Sequence, residues 1–199
     1  MVANVTSYPT LFEAIWPKTN SWGAKVTVAL VGSLALWMSA KIQVPFYPVP
    51  LTLQTMLVLA LGAALGWRLA GLTICFYLLE GAVGLPVFAG TPERGIGLLY
   101  MAGPTGGFLI GFLAAAMMVG YLAQRGWDRH ILSMTLAMLI GNIIIYGFGL
   151  IWLGNSLGWD KPILAWGFYP FIIGDCAKIV IAAIGLPLIW RMMGRTYSR

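Results

Sequence analysis

Long runs without a charge, separated by short charged points, set the rhythm of this chain. The uncharged runs are Val26–Ala40, Ile42–Trp67, Leu69–Leu79, Gly95–Gln124, Ile131–Trp159, Pro162–Gly174 and Ile179–Trp190. A helix that crosses a bilayer takes about 20 mostly apolar residues. The runs predict six such helices, near 23–42, 51–67, 69–85, 104–124, 131–153 and 166–193. Strands of a membrane barrel would instead alternate apolar and polar residues over about 10 positions. Leu109–Val119 shows no such alternation. The predicted fold class is an all-α integral membrane protein. An N-terminal segment over 1–22 precedes a six-helix membrane domain over 23–194, and a tail over 195–199 follows it.

Composition narrows the class. Only 9% of the 199 residues are charged, against about 25% in a soluble domain. So few charges cannot cover a water-facing surface, which excludes a disordered chain and argues against a soluble enzyme. The net charge of +6 comes from scarce acids and not from a basic patch, so nucleic acid is not an expected partner; membrane lipid is.

The positions of Lys and Arg set an orientation. With a cytoplasmic N-terminus, the inner side receives Lys18, Lys25, Arg68, Arg125, Arg129, Arg191, Arg195 and Arg199. The outer side receives Lys41, Arg94 and Lys161. This predicts a multi-pass membrane protein with both termini cytoplasmic. Trp16, Trp22, Trp67, Trp127, Trp159 and Trp190 fall near span ends, as interfacial anchors do. The N-terminus does not read as a cleaved signal. Leu11–Trp16 reads as a short amphipathic stretch on the membrane surface, and Asn4-Val5-Thr6 as a glycosylation pattern without meaning on the cytoplasmic side.

Several chemistries find no support. There is no phosphate-binding Gly-x-x-x-x-Gly-Lys-Ser/Thr and no His-Glu-x-x-His. Cys75 and Cys176 show no metal or redox spacing and read as small packing residues. The one histidine, His130, reads as a solvated loop residue. Gly154-Asn155-Ser156-Leu157-Gly158 matches a nucleophile motif, but that motif needs a strand-to-helix turn and a His partner. Here it falls in a predicted outer loop, across the membrane from His130, and reads as a turn. No catalytic residue, metal site or cofactor is expected, and the chain does not read as an enzyme.

The charges left inside the spans carry the functional reading. A charge near the bilayer centre costs about 2.5–3.5 kcal/mol and usually faces a bundle interior or cavity. Asp175 and Lys178, at i and i+3, share one face of the last helix. Asp175 lies roughly 13 Å into it. A carboxylate only accepts hydrogen bonds and an ammonium donates three. The pair could hold a group bearing both N–H and C=O, such as a ureido ring or amide; alternatively it only ties helices together. Glu80 falls near the outer end of helix 3, either at a pocket rim or at headgroup level. Asn142 and Tyr146, four apart on helix 5, and Gln54 at the start of helix 2 are polar at membrane depth. An outward-opening pocket would gather Gln54, Tyr146 and Asp175 with Asn142 at its floor.

Two outer loops qualify as lids. The apolar, Gly- and Pro-rich stretch over 84–107 must be buried or line a cavity if it dips to membrane depth. Its only cation, Arg94, either meets a ligand carboxylate or pairs with Glu93. Val44–Pro50 is stiffened by three prolines. On helix 1, Ala29-x-x-x-Ser33 and Ala35-x-x-x-Ser39 would let another helix approach closely, from this bundle or from a partner.

Together these residues resemble the BioY family, the biotin-specific substrate-capturing S components of energy-coupling factor (ECF) transporters. The resemblance rests on Val44-Pro45 with Pro48-Val49-Pro50, Leu53-Gln54, Gly84-Leu85-Pro86-Val87, Gly103-Pro104-Thr105-Gly106-Gly107 and Gly174-Asp175-x-x-Lys178, in that order. It implies six helices, a biotin pocket below the outer loops, and a coupling protein with two ATPases as partners. It also implies toppling in the membrane to release cargo, or, as in some members, action without those partners. By motif position Asp175 and Lys178 would bind biotin, with Arg94, Gln54 and Asn142 similar in placement. Glu80 has no family role to inherit. The helix 1 Ala-x-x-x-Ala of coupled members is missing, since Ala24, Ala29, Ala35 and Ala40 are never four apart. That leaves docking on a coupling module open, with a homo-oligomer as the competing idea.

Overall fold

The computed structural model describes residues 8–17 and 21–194. The elements in chain order are α1 (Leu11–Ile15), α2 (Trp22–Lys41), β1 (Gln43–Val44), β2 (Leu51–Thr52), α3 (Gln54–Ala82), α4 (Gly97–Ala102), α5 (Gly106–Ala123), α6 (Ile131–Leu157), α7 (Ile163–Gly167) and α8 (Ile172–Met192). Single 3-10 turns occupy Trp127–Arg129 and Tyr169–Phe171. Five stretches are long and apolar enough to cross a membrane: α2, α3, α5, α6, and α7 with α8 taken together.

The 29-residue α3 holds two of the six predicted helices. Unbroken, it would put Gln54 and Tyr77 roughly 34 Å apart. Yet Gln54 Nε2 donates to Tyr77 Oη at 2.7 Å, so the chain folds back between them. The reversal falls at Gly66, whose φ of 76° suits a residue without Cβ. A Cβ there would meet Thr10 Cγ2 at 2.7 Å. The first arm, 54–65, is only about 18 Å long. Both arms pack on α5, where Gly120 lets the turn at Gly66–Trp67 approach its backbone.

Several boundaries differ from expectation. Helix α6 runs on through Leu157, so residues 154–157 form its last turn and are not an outer loop. Gly158 ends it at φ 97°. There is no strand-to-helix turn at Ser156, and the nucleophile motif is a coincidence of helix termination. The last predicted helix is broken at Phe168–Phe171, where Pro170 cannot continue an α-helical ladder. Asp175 therefore stands in the first turn of α8, where the helix dipole favours a carboxylate.

The N-terminal stretch docks on protein. Thr10 and Glu13 form a capping box, and Leu11, Phe12 and Ala14 are buried, with α1 packed against the α3 reversal. Ile15 and Trp16 are its exposed large apolar residues. Trp22 and Trp159 are exposed, whereas Trp190 is 2% exposed. Its indole N–H donates to Asp128 Oδ2 at 2.6 Å and the Arg129 guanidinium stacks over its ring. Cys75 and Cys176 are exposed on the bundle surface and do not pack inside. His130 is exposed, as expected. Asn4-Val5-Thr6, Lys18, Arg195 and Arg199 lie outside the described residues.

Candidate functional site

The start of α3 and the first turns of α8 bring the charged pair together with two hydroxyls. Lys178 Nζ donates to Asp175 Oδ1 at 2.8 Å, to the Thr52 carbonyl at 2.7 Å and to Thr55 Oγ1 at 3.0 Å. Thr55 Oγ1 donates in turn to Asp175 Oδ1 at 3.2 Å, and Tyr146 Oη donates to Asp175 Oδ2. The Lys178 and Asp175 side chains are 12% and 7% exposed. The ammonium's three donors are thus all engaged. Asp175 Oδ2 has one hydroxyl partner and keeps a lone pair for a further donor.

This cluster forms one wall of a cavity with about 530 Å³ of atom-free space, counted with its open mouth. The remaining walls are mostly apolar. Phe108, Leu109 and Phe112 come from α5, Ile145 and Tyr146 from α6, and Phe171 from the corner before α8. Val49, Pro50, Leu51, Ala89, Tyr100 and Thr105 come from the stretches over 44–52 and 84–107. Edge-to-face contacts fix the Tyr146 ring between Phe108 at 6.4 Å and Phe168 at 5.0 Å.

The loops over 44–50 and 84–107 both contribute to the cavity lining and are held by hydrogen bonds. The strands β1 and β2 pair antiparallel (Gln43 with Thr52, Val44 with Leu51) and staple the base of the proline loop. Phe46 meets Phe171 edge to face at 6.3 Å. Arg94 Nη1 donates to the Pro48 carbonyl at 3.0 Å and Nη2 to the Phe46 carbonyl at 2.9 Å, binding one lid to the other. Lys41 Nζ donates to the Phe88 and Thr91 carbonyls and to Thr91 Oγ1, anchoring the longer loop to α2. Tyr100 Oη donates to the Ala89 carbonyl at 2.8 Å. Burial pushes the Tyr100 pKa up, so the hydroxyl keeps that proton.

The expected site residues divide accordingly. Gln54, Tyr146, Asp175 and Lys178 line the cavity. The Gln54 amide is engaged with Tyr77, which donates onward to the Val87 carbonyl at 3.1 Å. Asn142 does not line the cavity. It sits one helical turn deeper than Tyr146, with Nδ2 turned back to the Met138 carbonyl at 3.3 Å. Arg94 pins the lids and is not among the lining residues. Glu80 also lies outside it, accepting from Ser33 Oγ at 2.7 Å and joining α2 to the second arm of α3. Ala29, Ser33 and Ser39 are buried inside this chain and Ala35 is half-buried. The small residues of α2 therefore seat its own neighbour: the Gly32 backbone comes so close to Thr73 that a Cβ would meet its Cγ2 at 2.6 Å. The outward face of α2 presents Leu30, Val31, Leu34 and Met38 instead.

Thr52, Thr55 and the phenylalanine walls were not singled out from the sequence. A hydroxyl next to Gln54 carries no charge signal, and Phe108 and Phe112 look like any apolar helix residue until the fold aims them inward.

Comparison with known proteins agrees with this architecture. The model of the BioY family matches residues 16–195. A probable biotin transporter BioY of Pyrococcus horikoshii is 38% identical over 80% of this chain and 90% of its own length. A biotin transporter BioY of Rhizobium etli is 36% identical over 78% and 89%. The crystal structure of the S-component for biotin from an ECF-type ABC transporter superposes with a TM-score of 0.70 at 23% identity, covering 87% of this chain and 94% of that one, which shows the shared fold.

Proposed function

This chain belongs to the BioY family, and from that premise we propose that it captures biotin in the cavity beneath its outer loops and passes it across the membrane without changing any bond. The observation that carries this reading is a buried, hydrogen-bonded Asp175–Lys178 pair in the wall of an otherwise apolar cavity. A ureido ring carries N–H donors for the carboxylate and a C=O acceptor for the ammonium. Its carbonyl would replace the Thr52 or Thr55 contact of Lys178, and an N–H would take the open lone pair of Asp175 Oδ2. Phe108, Phe112, Ile145 and Phe171 suit the thiophane ring and alkyl chain.

The lid contacts through Arg94 and Lys41 would slow escape to the outside. The preference of Lys and Arg for one side supports cytoplasmic termini and an outward-facing cavity. Energy would come from a separate ATPase and coupling protein, docked on this chain from the membrane, unless the chain works alone or as a homo-oligomer. Biotin uptake tests this reading in a biotin-auxotrophic bacterium lacking its own transporter, with the chain expressed alone or with ATPase and coupling subunits. Labelled biotin should accumulate in at least one arm, and which arm decides the coupling question. Absence of accumulation in both, with the chain present in the membrane, would overturn the proposal.

A further inference from the structure

The end of the molecule away from the cavity carries a second groove. A groove of about 1710 Å³ of atom-free space, open to the outside, runs between α1, the start of α2 and the reversal of α3. It lies roughly 18 Å from Gln54 along the first arm of α3. Leu65, Leu69, Leu72 and Phe12 give it apolar walls, while Trp16, Trp22 and Trp67 contribute indoles. Lys25 and Arg68 line it as cations. Each rests against a tryptophan, Lys25 at 5.9 Å from the Trp22 ring and Arg68 at 4.9 Å from the Trp67 ring. Among the described residues neither makes an ion pair. The lining acid, Glu13, points its Oε2 at the Thr10 backbone N–H and hydroxyl at 2.9 and 3.1 Å, which holds it in the capping box.

We propose that this groove binds the headgroup of an anionic phospholipid, with its phosphate against Lys25 and Arg68 and an acyl chain along Leu65, Leu69 and Leu72. Amphipathic indoles beside cations at a span end match the chemistry of the bilayer interface. A zwitterionic headgroup brings its own cation into the same groove and is disfavoured. The site does not depend on which ligand fills the outer cavity. Bound lipid would tie α1 to the α3 reversal, the point where the two arms meet.

Native mass spectrometry of the full chain, released from detergent with added phosphatidylglycerol or phosphatidylcholine, tests this. Phosphatidylglycerol should bind preferentially. Lys25→Gln and Arg68→Gln should each weaken it roughly fivefold and the double variant roughly 25-fold. Lys161→Gln, at the opposite end and paired with Asp160, should leave it unchanged. Retained biotin binding in the double variant establishes that it is folded; if it is not, the single variants carry the test. Equal retention of the two lipids would overturn the proposal, as would unchanged phosphatidylglycerol affinity in the folded variants. Equal competition by soluble glycerol phosphate would overturn it too, because the groove would then read phosphate and not lipid.

Discussion

Removing one member of the Asp175–Lys178 pair leaves the other as an uncompensated charge in a nearly dry place. Lys178→Met keeps length and volume but strips Asp175 of its counter-charge, leaving only the Thr55 and Tyr146 hydroxyls as donors. Asp175→Asn leaves the ammonium with the Thr52 carbonyl and Thr55 Oγ1. Because both side chains are about nine-tenths buried, solvent screens little. Each single change should cost about 3–5 kcal/mol of stability. The double variant carries no charge, and removing both members of a buried pair is far milder. It should cost about 1–3 kcal/mol, leaving a coupling of at least ~3 kcal/mol. Reversible unfolding in mixed micelles by sodium dodecyl sulfate, without biotin, measures all four corners of the cycle. If the double variant equals the sum of the singles within about 0.5 kcal/mol, the two groups do not act as one buried unit, and the account of this wall fails.

Three further outcomes follow from other contacts. Arg94→Ala removes both charge-assisted bonds between the lids; biotin should then dissociate about tenfold faster with little change in association, read by stopped-flow fluorescence. Gly66→Ala forces a Cβ into a left-handed conformation against Thr10 and Gln124, which should destabilise the fold by about 2 kcal/mol in the same unfolding assay. Asp128 is buried, and burial raises its pKa against the opposing pull of Arg129 and Trp190. The folded state therefore binds a proton there more readily than the unfolded one, so this contribution is present at acid pH and is lost as pH rises through the raised value. A stability profile of Asp128→Asn against pH should lack that falling stretch; a profile parallel to that of the unchanged protein would contradict it.

How much of this was legible before folding depends on the residue. Charge-free runs located every long helix because a bilayer tolerates few alternatives, and Arg68 flagged the break in α3, although the turn itself falls at Gly66. The i, i+3 spacing of Asp175 and Lys178 survived translation into three dimensions because it is internal to one helix. Spacing said less where depth mattered. Asn142 and Tyr146 share a helix face, but one turn separates a residue that reaches Asp175 from one that faces backbone below the cavity. Arg94 and Glu80 show a second limit: spacing left a ligand or Glu93 open as the partner of Arg94, and a pocket rim or the headgroup level open for Glu80, whereas each finds a partner elsewhere in the chain, on the proline-loop carbonyls and on Ser33. The small residues of α2 likewise announced a close helix approach without saying whose, and the neighbour is α3.

The central claim is that the Asp175–Lys178 wall of the cavity recognises biotin. Isothermal titration of the purified full chain in detergent, before and after Asp175→Asn and Lys178→Met, addresses it most directly. The account predicts one biotin per chain, with affinity lowered roughly 10- to 150-fold in each variant, since a hydrogen bond to a charged group contributes about 1.5–3 kcal/mol. Folded protein that takes up no biotin, or variants that bind it as tightly as the unchanged chain, would contradict it.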